Sequence, residues 1–385
     1  DVKPLISHAF ELGDAKRAYD LLSSADPSLG ILLRYPGSDP AAAGQPIDAT
    51  QRRVELEVTK AGETASGVVA FLGAGGYAGK VLVPAFRRAG AHLHSVVSRG
   101  GVTAAHVGKK HGFRVVSTDE SGMLRQAEVD TVVVATRHDL HARQVIASLH
   151  AGKHVFCEKP LCLSLEELED IRAAAEARPA QLLMVGFNRR FAPQVRKMQS
   201  LLAQVSEPRC FILTVNAGAI PGDHWTQDRE IGGGRIVGEG CHFIDLLRHL
   251  ANSPVVRHRA VAAGGRRGSA AADDCSTITL EFQDGSVGTI HYFANGNKGF
   301  PKERIEVFCG GRILQLDNFR RMRGWGWGAF RSMNLWRQDK GQLGCVQAFM
   351  DAVRSSAPAP ISREEIYEVS RVTLEIGAEL AESAC

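Results

Sequence analysis

Runs of apolar residues alternate with amphipathic stretches between residues 67 and 186. Uninterrupted apolar runs bounded by turn residues are typical of strands buried on both faces, whereas apolar spacings of three and four predict helices. The predicted strands are residues 68–72, 92–98, 129–135, 154–157 and 182–186, and the predicted helices include 80–88 and 142–151. Strands that alternate with helices predict a parallel α/β sheet for this part of the chain.

The second half of the chain has apolar and polar positions that alternate along segments separated by short turns. Asp284-Gly285 and Gly310-Gly311 are typical of hairpin turns. Consecutive hairpins predict an antiparallel sheet with segregated helices, an α+β domain. The predicted strands are 211–217, 276–282, 286–293, 304–309 and 312–316, and the predicted helices are 241–251, 343–354 and 363–383.

A glycine-rich turn follows the first buried strand. Its residues are Gly73, Ala74, Gly75, Gly76, Tyr77 and Ala78. Gly73 permits a tight turn, and Gly75 lets the main chain approach a pyrophosphate at the helix N-terminus. A G-x-G-x-x-A turn between a buried strand and a helix predicts a Rossmann domain that binds a dinucleotide.

The ribose of that cofactor is expected near the end of the second strand. A carboxylate for the 2′-hydroxyl of NAD is expected about 20 residues after the glycines, but no Asp or Glu occurs from Gly73 to Thr118. Ser98 and Arg99 stand at this strand end, and a hydroxyl with a guanidinium suits a 2′-phosphate. The sequence favours NADP(H) over NAD(H), the alternative being that Arg99 stacks on adenine or faces solvent.

The first 36 residues are too few to bury a core of their own. A helix at 13–23 and a strand at 31–35 predict an arm docked on the main body. The stretch also resembles the C-terminal tail of medium-chain, zinc-type alcohol dehydrogenases in its pattern PLISHxFxLxDAxxAYxLL. The resemblance implies the rear part of a two-enzyme fusion. The predicted divisions are this tail at 1–38, a linker at 39–66, a dinucleotide-binding domain at 67–186 and a substrate-binding and oligomerisation domain at 187–385.

Composition narrows the classes of protein further. The 385 residues are 44% apolar and 23% charged, with a formal net charge of +4, which predicts two or three folded domains and argues against disorder and nucleic-acid binding. A run of about 18 apolar residues, which would predict a membrane span, is absent from the sequence. Eight cysteines without a C-x-x-C pair predict buried thiols of a reducing compartment, here the cytoplasm, and no zinc site.

A longer motif follows the third predicted strand. The string ATRHDLHARQVIASLHAGKHVFCEKPL, residues 135–161, resembles a pattern of the glucose–fructose oxidoreductase, inositol dehydrogenase and rhizopine-catabolism family, Gfo/Idh/MocA. Segments 186–191, 232–235 and 240–245 extend the match. The resemblance covers about residues 67–380 and implies a nicotinamide-dependent oxidoreductase of sugars or cyclitols. It also implies an open, largely antiparallel C-terminal sheet that commonly forms a subunit interface, hence a homo-oligomer.

Two residues are candidates for proton transfer. Lys159 follows the fourth predicted strand, and Pro160 restricts it to an extended geometry; a salt bridge with Glu158 is the alternative role. The resemblance assigns His242 to the active site, although a lone histidine is usually structural. The family's string D-x-G-x-H-x-x-D is broken here, because Gly238 stands four residues before His242.

Further site residues follow from strand ends and from the family match. Residues expected at the cofactor are Gly73, Gly75, Gly76, Tyr77, Ala78, Ser98, Arg99, Thr136, His141, Glu158, Lys159 and Arg189. Residues expected at the substrate are Asn188, His224, Trp225, Glu239, Asp245 and Lys298. Glu239 is the candidate replacement for the missing acid, and Asp245 is expected to orient His242 or to hold an adjacent loop. Three tryptophans, Trp325, Trp327 and Trp336, are expected to pack a loop or an interface.

Three functions stay open at this stage. The first is an NAD(P)-dependent dehydrogenase or reductase that acts on CH–OH groups of a sugar, cyclitol or nucleotide sugar, in polysaccharide or sugar metabolism. The second is a hydrolase or epimerase that retains its cofactor through a closed redox cycle. The third is a non-enzymatic nucleotide-binding regulator of the same fold. Lys159 and His242 favour an enzyme, because a sensor needs no proton donor at the crevice.

Overall fold

The computed structural model describes residues 1–22, 24, 26–35, 52–56, 67–263 and 274–382. The chain divides into two compact units, Asp1–Val54 and Glu55–Cys385. Most of the predicted linker at 39–66 lies outside the described residues.

The front unit forms a small β-α-β arrangement. Strands β1 (Ile6–Glu11) and β2 (Gly30–Arg34) pair in parallel, and helix α1 (Ala15–Leu22) lies between them in sequence. Helix α1 fully buries only Ala18. The predicted helix and the predicted strand are both present, but the expectation of a single strand was wrong. Residues in β1 alternate between half-buried and exposed positions, which fits a strand that packs on one face.

A seven-stranded sheet has the strand order β3-β6-β5-β4-β7-β8-β9. Its strands are β3 (Arg53–Glu55), β4 (Val68–Leu72), β5 (His92–Val97), β6 (Val115–Ser117), β7 (Thr131–Val134), β8 (His154–Cys157) and β9 (Leu183–Val185). The pairs from β6 to β9 are all parallel. The helices between its strands are α2 (Val83–Arg88), α3 (Val102–His111), α4 (Glu120–Leu124), α5 (His141–His150) and α6 (Leu165–Glu176). The predicted parallel α/β architecture is confirmed.

Burial on both faces explains the apolar strands of this sheet. Phe71 on β4 packs edge-to-face against Phe86 and Phe113, with ring centroids 5.4 and 5.7 Å away. Ser164 begins α6 as an N-cap, since its hydroxyl accepts a hydrogen bond from the main-chain N–H of Glu167. The helix predicted at 80–88 differs from expectation, because a π-helical turn (Ala78–Leu82) precedes α2.

An eight-stranded sheet has the order β11-β12-β13-β10-β14-β15-β16-β17. Its strands are β10 (Cys210–Asn216), β11 (Val255–Ala262), β12 (Cys275–Phe282), β13 (Val287–Phe293), β14 (Glu303–Cys309), β15 (Arg312–Asp317), β16 (Arg321–Trp325) and β17 (Ser332–Asn334). The β10–β13 pair is parallel and the other pairs are antiparallel. The prediction of a largely antiparallel second sheet is confirmed.

The helices of this half are α7 (Pro193–Leu202), α8 (Cys241–Ala251), α9 (Gln342–Ser355) and α10 (Arg363–Glu382). Helices α8 and α10 pack on one face of the second sheet, whereas α7 packs against α8 and α9 packs against α2. Helix α10 packs against β11 and α8, and on β10 the buried residues alternate with more exposed ones. Ile212 and Phe308, at neighbouring sheet positions, are each 37% exposed. The second face of this sheet therefore presents partly exposed apolar side chains.

The prediction of buried thiols needs one correction. Cys210 is exposed rather than buried, because it lies on the open face of β10. Trp327 is buried and donates a hydrogen bond to the carbonyl of Ile313 at 2.9 Å, but Trp325 and Trp336 are 46% and 88% exposed. Among the described helices, none combines the length and the hydropathy needed to cross a bilayer.

Candidate active site

The glycine-rich turn forms a cradle at the end of β4. Gly73 has a φ of +102°, and a Cβ atom there would collide with the carbonyl of Ala135. A Cβ atom on Gly75 or Gly76 would meet nothing within 4 Å. Gly73 is thus required by the protein's own packing, whereas Gly75 and Gly76 leave open space beside the main chain. This geometry fits a pyrophosphate on the helical turn that begins at Ala78.

Lys159 reaches from the end of β8 to the segment before α8. Its Nζ donates a hydrogen bond to the carbonyl oxygen of Gly238 at 2.7 Å. No ion pair joins Lys159 to Glu158 within the described residues. Glu158 is buried, and burial raises the pKa of its carboxyl to about 7, against the opposing effect of Lys159. A Cβ atom on Gly186 would lie 2.7 Å from Oε1 of Glu158, so a glycine there makes room for this carboxyl.

His242 lies in the first turn of α8, directly after a π-helical turn at Ile236–Gly240. Such turns occur often at functional sites. The side chain is 7% exposed, and Nδ1 has no hydrogen-bond partner in the part of the chain that the structure describes. Burial, with Arg189 and Lys159 adding to it, holds the pKa of His242 well below its usual value. His242 is therefore a neutral imidazole near the amine of Lys159.

The position of the missing acid has little room for a side chain. A Cβ atom on Gly238 would lie 3.2 Å from the carbonyl oxygen of Gly232 and 3.3 Å from Cε1 of His138. Both distances are tighter than ordinary van der Waals contact. An acid at residue 238 would therefore require its neighbours to move.

Glu239, the candidate replacement, is already bound by other side chains. It accepts hydrogen bonds from the hydroxyl of Tyr292 at 2.6 Å, from Lys302 at 2.7 Å and from Arg235 at 3.2 Å. Although burial disfavours its charged form, these partners, led by Lys302, lower the pKa of Glu239 to about 2. Its carboxylate is thus fully ionised and held on the sheet side of the site.

Asp245 does not orient His242, contrary to expectation. It is fully buried, and it accepts hydrogen bonds from Nε of Arg190 at 3.1 Å and from the terminal nitrogen of Arg190 at 2.5 Å. Arg190 also pairs with Glu365 at 2.7 Å. Because Asp245 on α8 faces Arg190 and α10, the carboxylate of Asp245 stabilises the packing of these elements behind the site. The alternative expectation was that Asp245 holds an adjacent loop; its partner Arg190 lies in the 3₁₀ turn Asn188–Phe191 after β9.

A buried ion cluster lies beside His242. Glu303 accepts two hydrogen bonds from Arg189, at 2.8 and 2.9 Å, and one from Lys340 at 2.5 Å. The amide of Asn188 donates to the carbonyl of Lys340 at 2.6 Å. Glu303, Lys340 and Tyr292 were not predicted from the sequence, because no local motif marks them. Arg189, expected at the cofactor, is here bound to Glu303 and is 5% exposed.

The strand-end residues expected at the cofactor divide into two groups. Ser98 is half-buried and Arg99 is exposed, so both are accessible. His141 is 1% exposed, and its two ring nitrogens face main-chain oxygens of Pro160 at 2.6 Å and Thr136 at 3.3 Å. The expectation that His141 touches a cofactor is therefore not supported: it ties the loop after β7 to the loop after β8. The hydroxyl of Thr136 donates to Gln144 at 2.7 Å.

The remaining substrate candidates are scattered more widely. Trp225 packs its ring edge-to-face against His138, with centroids 4.8 Å apart, and Arg137 lies over Trp225 at 5.7 Å. His224 and Lys298 are exposed. In residues 67–263 and 274–382, no group of three or more His, Cys, Asp or Glu side chains has the geometry to hold a metal ion.

The fold and this site define a protein with two large sheets, one of which belongs to a Rossmann domain with a dinucleotide cradle. The family model described as "Oxidoreductase family, NAD-binding Rossmann fold" matches residues 68–187. The model described as "GFO/IDH/MocA C-terminal domain" matches residues 196–313. The chain belongs to the Gfo/Idh/MocA family of oxidoreductases.

Individual relatives agree with this assignment. Inositol 2-dehydrogenase 3 of Saccharopolyspora erythraea is 36% identical over 240 residues, which cover 60% of this chain and 67% of that protein. Myo-inositol 2-dehydrogenase of Thermotoga maritima is 29% identical over 218 residues, or 55% of this chain and 64% of that protein. The latter match thus spans less than two thirds of the relative. A levoglucosan dehydrogenase solved with NADH and levoglucosan shares the fold, with a TM-score of 0.72 and 20% identity over 82% of this chain and 97% of that chain.

Proposed function

We propose that this chain is an NAD(P)-dependent oxidoreductase that transfers a hydride to or from a CH–OH carbon of a sugar, a cyclitol or a nucleotide sugar. The observation that carries the proposal is the hydrogen bond of 2.7 Å between Nζ of Lys159 and the carbonyl of Gly238. It joins the crevice end of β8 to the turn that leads into His242. The named relatives, which include inositol dehydrogenases, support a polyol or sugar substrate.

The chemistry divides between cofactor and protein. A bound nicotinamide supplies the hydride acceptor or donor. In the oxidative direction Lys159 takes the proton from the substrate hydroxyl, and in the reductive direction it returns a proton to the carbonyl oxygen. His242 is neutral, because burial and the nearby cations disfavour its protonation by lowering its pKa. It therefore hydrogen-bonds a substrate hydroxyl without adding charge.

The cofactor we favour is NADP(H). The accessible Ser98 and Arg99 follow β5, and no carboxylate occurs in the sequence between Gly73 and Thr118. A guanidinium recognises a phosphate through charge-assisted hydrogen bonds. Replacing Arg99 with Ala should weaken NADPH binding roughly tenfold, or about 1.4 kcal/mol, and leave NADH binding nearly unchanged. Equal losses for both cofactors, measured by fluorescence titration, would contradict the preference.

We further propose that the chain forms a homo-oligomer through the open face of its second sheet. Partly exposed apolar residues on that face, such as Ile212 and Phe308, support such a contact. Sedimentation of an Ile212→Lys variant tests this contact, since a monomer is expected from the variant and an oligomer from the unmodified chain.

We also propose an upstream alcohol-dehydrogenase-like module. The β-α-β arrangement of the front unit and its PLISHxFxLxDAxxAYxLL pattern support this proposal.

The proposed activity is tested with a panel of alcohols. The purified chain is incubated with NADP⁺ or NAD⁺ and with myo-inositol, levoglucosan or UDP-N-acetylglucosamine, and the absorbance of the reduced nicotinamide is followed. Reduction with at least one alcohol is expected. Cleavage or epimerisation of a substrate, with the cofactor retained through dialysis and no net reduction, would instead establish the closed redox cycle. Absence of all turnover would contradict the enzymatic proposal.

A further inference from the structure

His138 lies at the active site, within the motif at 135–161, although no role was predicted for it from the sequence. It begins a 3₁₀ turn, His138–Leu140, just after β7, and it is 7% exposed. The N–H of Asp139 in the same turn donates to the carbonyl of Ile231 at 3.2 Å. The turn is therefore attached to the glycine-rich segment that leads to Gly238 and His242.

One hydrogen bond defines the protonation of the His138 ring. Nδ1 lies 2.8 Å from the carbonyl oxygen of Gly232. A carbonyl only accepts, so Nδ1 must carry the hydrogen. Burial, followed by the charge of Lys159, lowers the pKa of His138 to about 3, and the ring is neutral at physiological pH. Nε2 is then left with a lone pair, and no hydrogen bond to Nε2 is formed by the residues that the structure describes.

The same ring lies against the residue that receives Lys159. A Cβ atom on Gly238 would be 3.3 Å from Cε1 of His138, while the carbonyl of Gly238 accepts the amine of Lys159. The imidazole of His138 and the amine of Lys159 therefore both lie close to Gly238, and both side chains come from segments that follow strands of the parallel sheet. The indole of Trp225 packs against the imidazole in a T-shaped arrangement, with ring centroids 4.8 Å apart.

Two carboxylates near this point, Glu239 and Asp245, are bound to cations. Glu239 is bound by Lys302, Tyr292 and Arg235, and Asp245 is bound by Arg190. A substrate hydroxyl beside Lys159 would thus find a neutral imidazole lone pair in place of a carboxylate. Because a neutral acceptor is cheaper to desolvate than a charged one, an imidazole suits an uncharged polyol.

We propose that Nε2 of His138 accepts a hydrogen bond from a substrate hydroxyl adjacent to the one that Lys159 deprotonates, so that the site selects a vicinal diol. This inference rests on the proposed oxidoreductase function. Lys159 acts on the reacting hydroxyl, and His138 orients its neighbour. A substrate that lacks the second hydroxyl would leave Nε2 unpaired and would lose that orienting contact.

Two variants separate this role from simple support of the fold. The side-chain amide of Asn reproduces the donor at Nδ1, so His138→Asn keeps the bond to Gly232 and loses the acceptor at Nε2. The longer Gln side chain carries its amide near the position of Nε2, so His138→Gln keeps an acceptor for substrate and loses the bond to Gly232. His150→Asn, at an exposed position at the end of α5, is the matched control.

The kinetic measurement uses the panel alcohol with the highest turnover. We expect His138→Asn to lower kcat/KM by about 5- to 150-fold, the loss of one hydrogen bond of about 1–3 kcal/mol, with a melting temperature like that of the unmodified chain. We expect His138→Gln to keep most of kcat/KM and to melt at a lower temperature. Normal kcat/KM in His138→Asn, or parallel losses in both variants, would overturn the proposal.

A second measurement does not depend on turnover. In the NADPH complex with ¹⁵N-histidine labelling, the shifts of His138 should report a hydrogen on Nδ1 and none on Nε2, and myo-inositol or levoglucosan should shift Nε2 alone. A hydrogen on Nε2, or no response to any panel alcohol that is turned over, would overturn the inference. If the panel gives no turnover but an alcohol shifts Nε2, the proposed function fails while the binding role of His138 stands. If it gives neither, both fail.

Discussion

The two sheets of this chain contribute to the site in different ways. In the parallel sheet, the site residues directly follow strands: Gly73 follows β4 and Lys159 follows β8. In the second sheet, the site residues sit at opposite ends of their strands. Tyr292 is near the end of β13 and Glu303 begins β14, yet both lie beside Val215 of β10. The reason is that β10 pairs in parallel with β13 and in antiparallel fashion with β14.

The difference shows which site residues can be predicted from a short stretch of sequence. Parallel strands all end at one edge, so polar residues after buried runs converge there. In the mixed second sheet, convergence depends on register, which becomes visible only when strand partners are known. The first sheet therefore supplies motif residues, and the second supplies a network of ion pairs around them. Changes in the two should have separable consequences for turnover, stability and cofactor binding.

The largest effect is expected for Lys159→Ala, at the parallel sheet. Loss of the proton acceptor should lower turnover by about 10²- to 10⁴-fold, while cofactor affinity changes little because Gly73–Ala78 is untouched. Steady-state rates and NADPH titration measure the two quantities. Lys16→Ala, on the exposed face of α1, should have normal rates. Near-normal turnover in Lys159→Ala would remove the central residue from the proposed mechanism.

The next effect belongs to the second sheet and concerns stability. Glu303→Gln leaves Arg189 and Lys340 buried without their shared counter-charge, which should cost about 3–5 kcal/mol of unfolding free energy. Glu281→Gln removes one partner of the exposed pair with Arg257, whose side chain is 71% exposed, and should leave the unfolding free energy nearly unchanged because solvent screens such a pair. Urea denaturation compares the two. Similar losses of unfolding free energy in the two variants would contradict a stabilising role of the buried cluster.

A smaller effect is expected for Gly75→Ala, which probes the cradle. A Cβ atom there meets nothing within 4 Å in the protein, so the melting temperature should be unchanged. The methyl group would lie where the pyrophosphate must approach, and NADPH affinity should fall at least about tenfold. Gly73→Ala is the contrasting variant, since its Cβ collides with Ala135 and should destabilise the protein itself. Unchanged NADPH affinity in Gly75→Ala would contradict the cradle.

The smallest effect is expected from removal of residues 1–36. This segment lies in a compact unit of its own, Asp1–Val54, and its helix buries a single residue. NADPH affinity and the melting transition of the remaining chain should match those of the whole. Loss of folding would show that the front segment belongs to the core of the oxidoreductase.

Much of the site was accessible from sequence because it follows local rules. The cradle at Gly73–Ala78, Lys159 and His242 each lie in a motif next to a predictable element. Predictions of which group a side chain would contact were less accurate than predictions of motifs. Asp245 was expected to orient His242 but binds Arg190, whereas the ring nitrogens of His141, which was expected at the cofactor, face two main-chain carbonyls. A pattern of residue types cannot indicate which of several nearby groups a buried side chain will meet.

The sequence by itself determined the two sheet types, the dinucleotide cradle and the position of Lys159 after a buried strand, because burial and turn geometry act over short stretches of chain. Only the tertiary structure decided that Glu239 is bound by Lys302, that Glu303 joins Arg189 to Lys340, and that His138 packs where Gly238 has no side chain. These contacts join residues far apart in sequence. Their pairing follows from strand register and from the cost of burying an unpaired charge, both of which are properties of the folded chain as a whole.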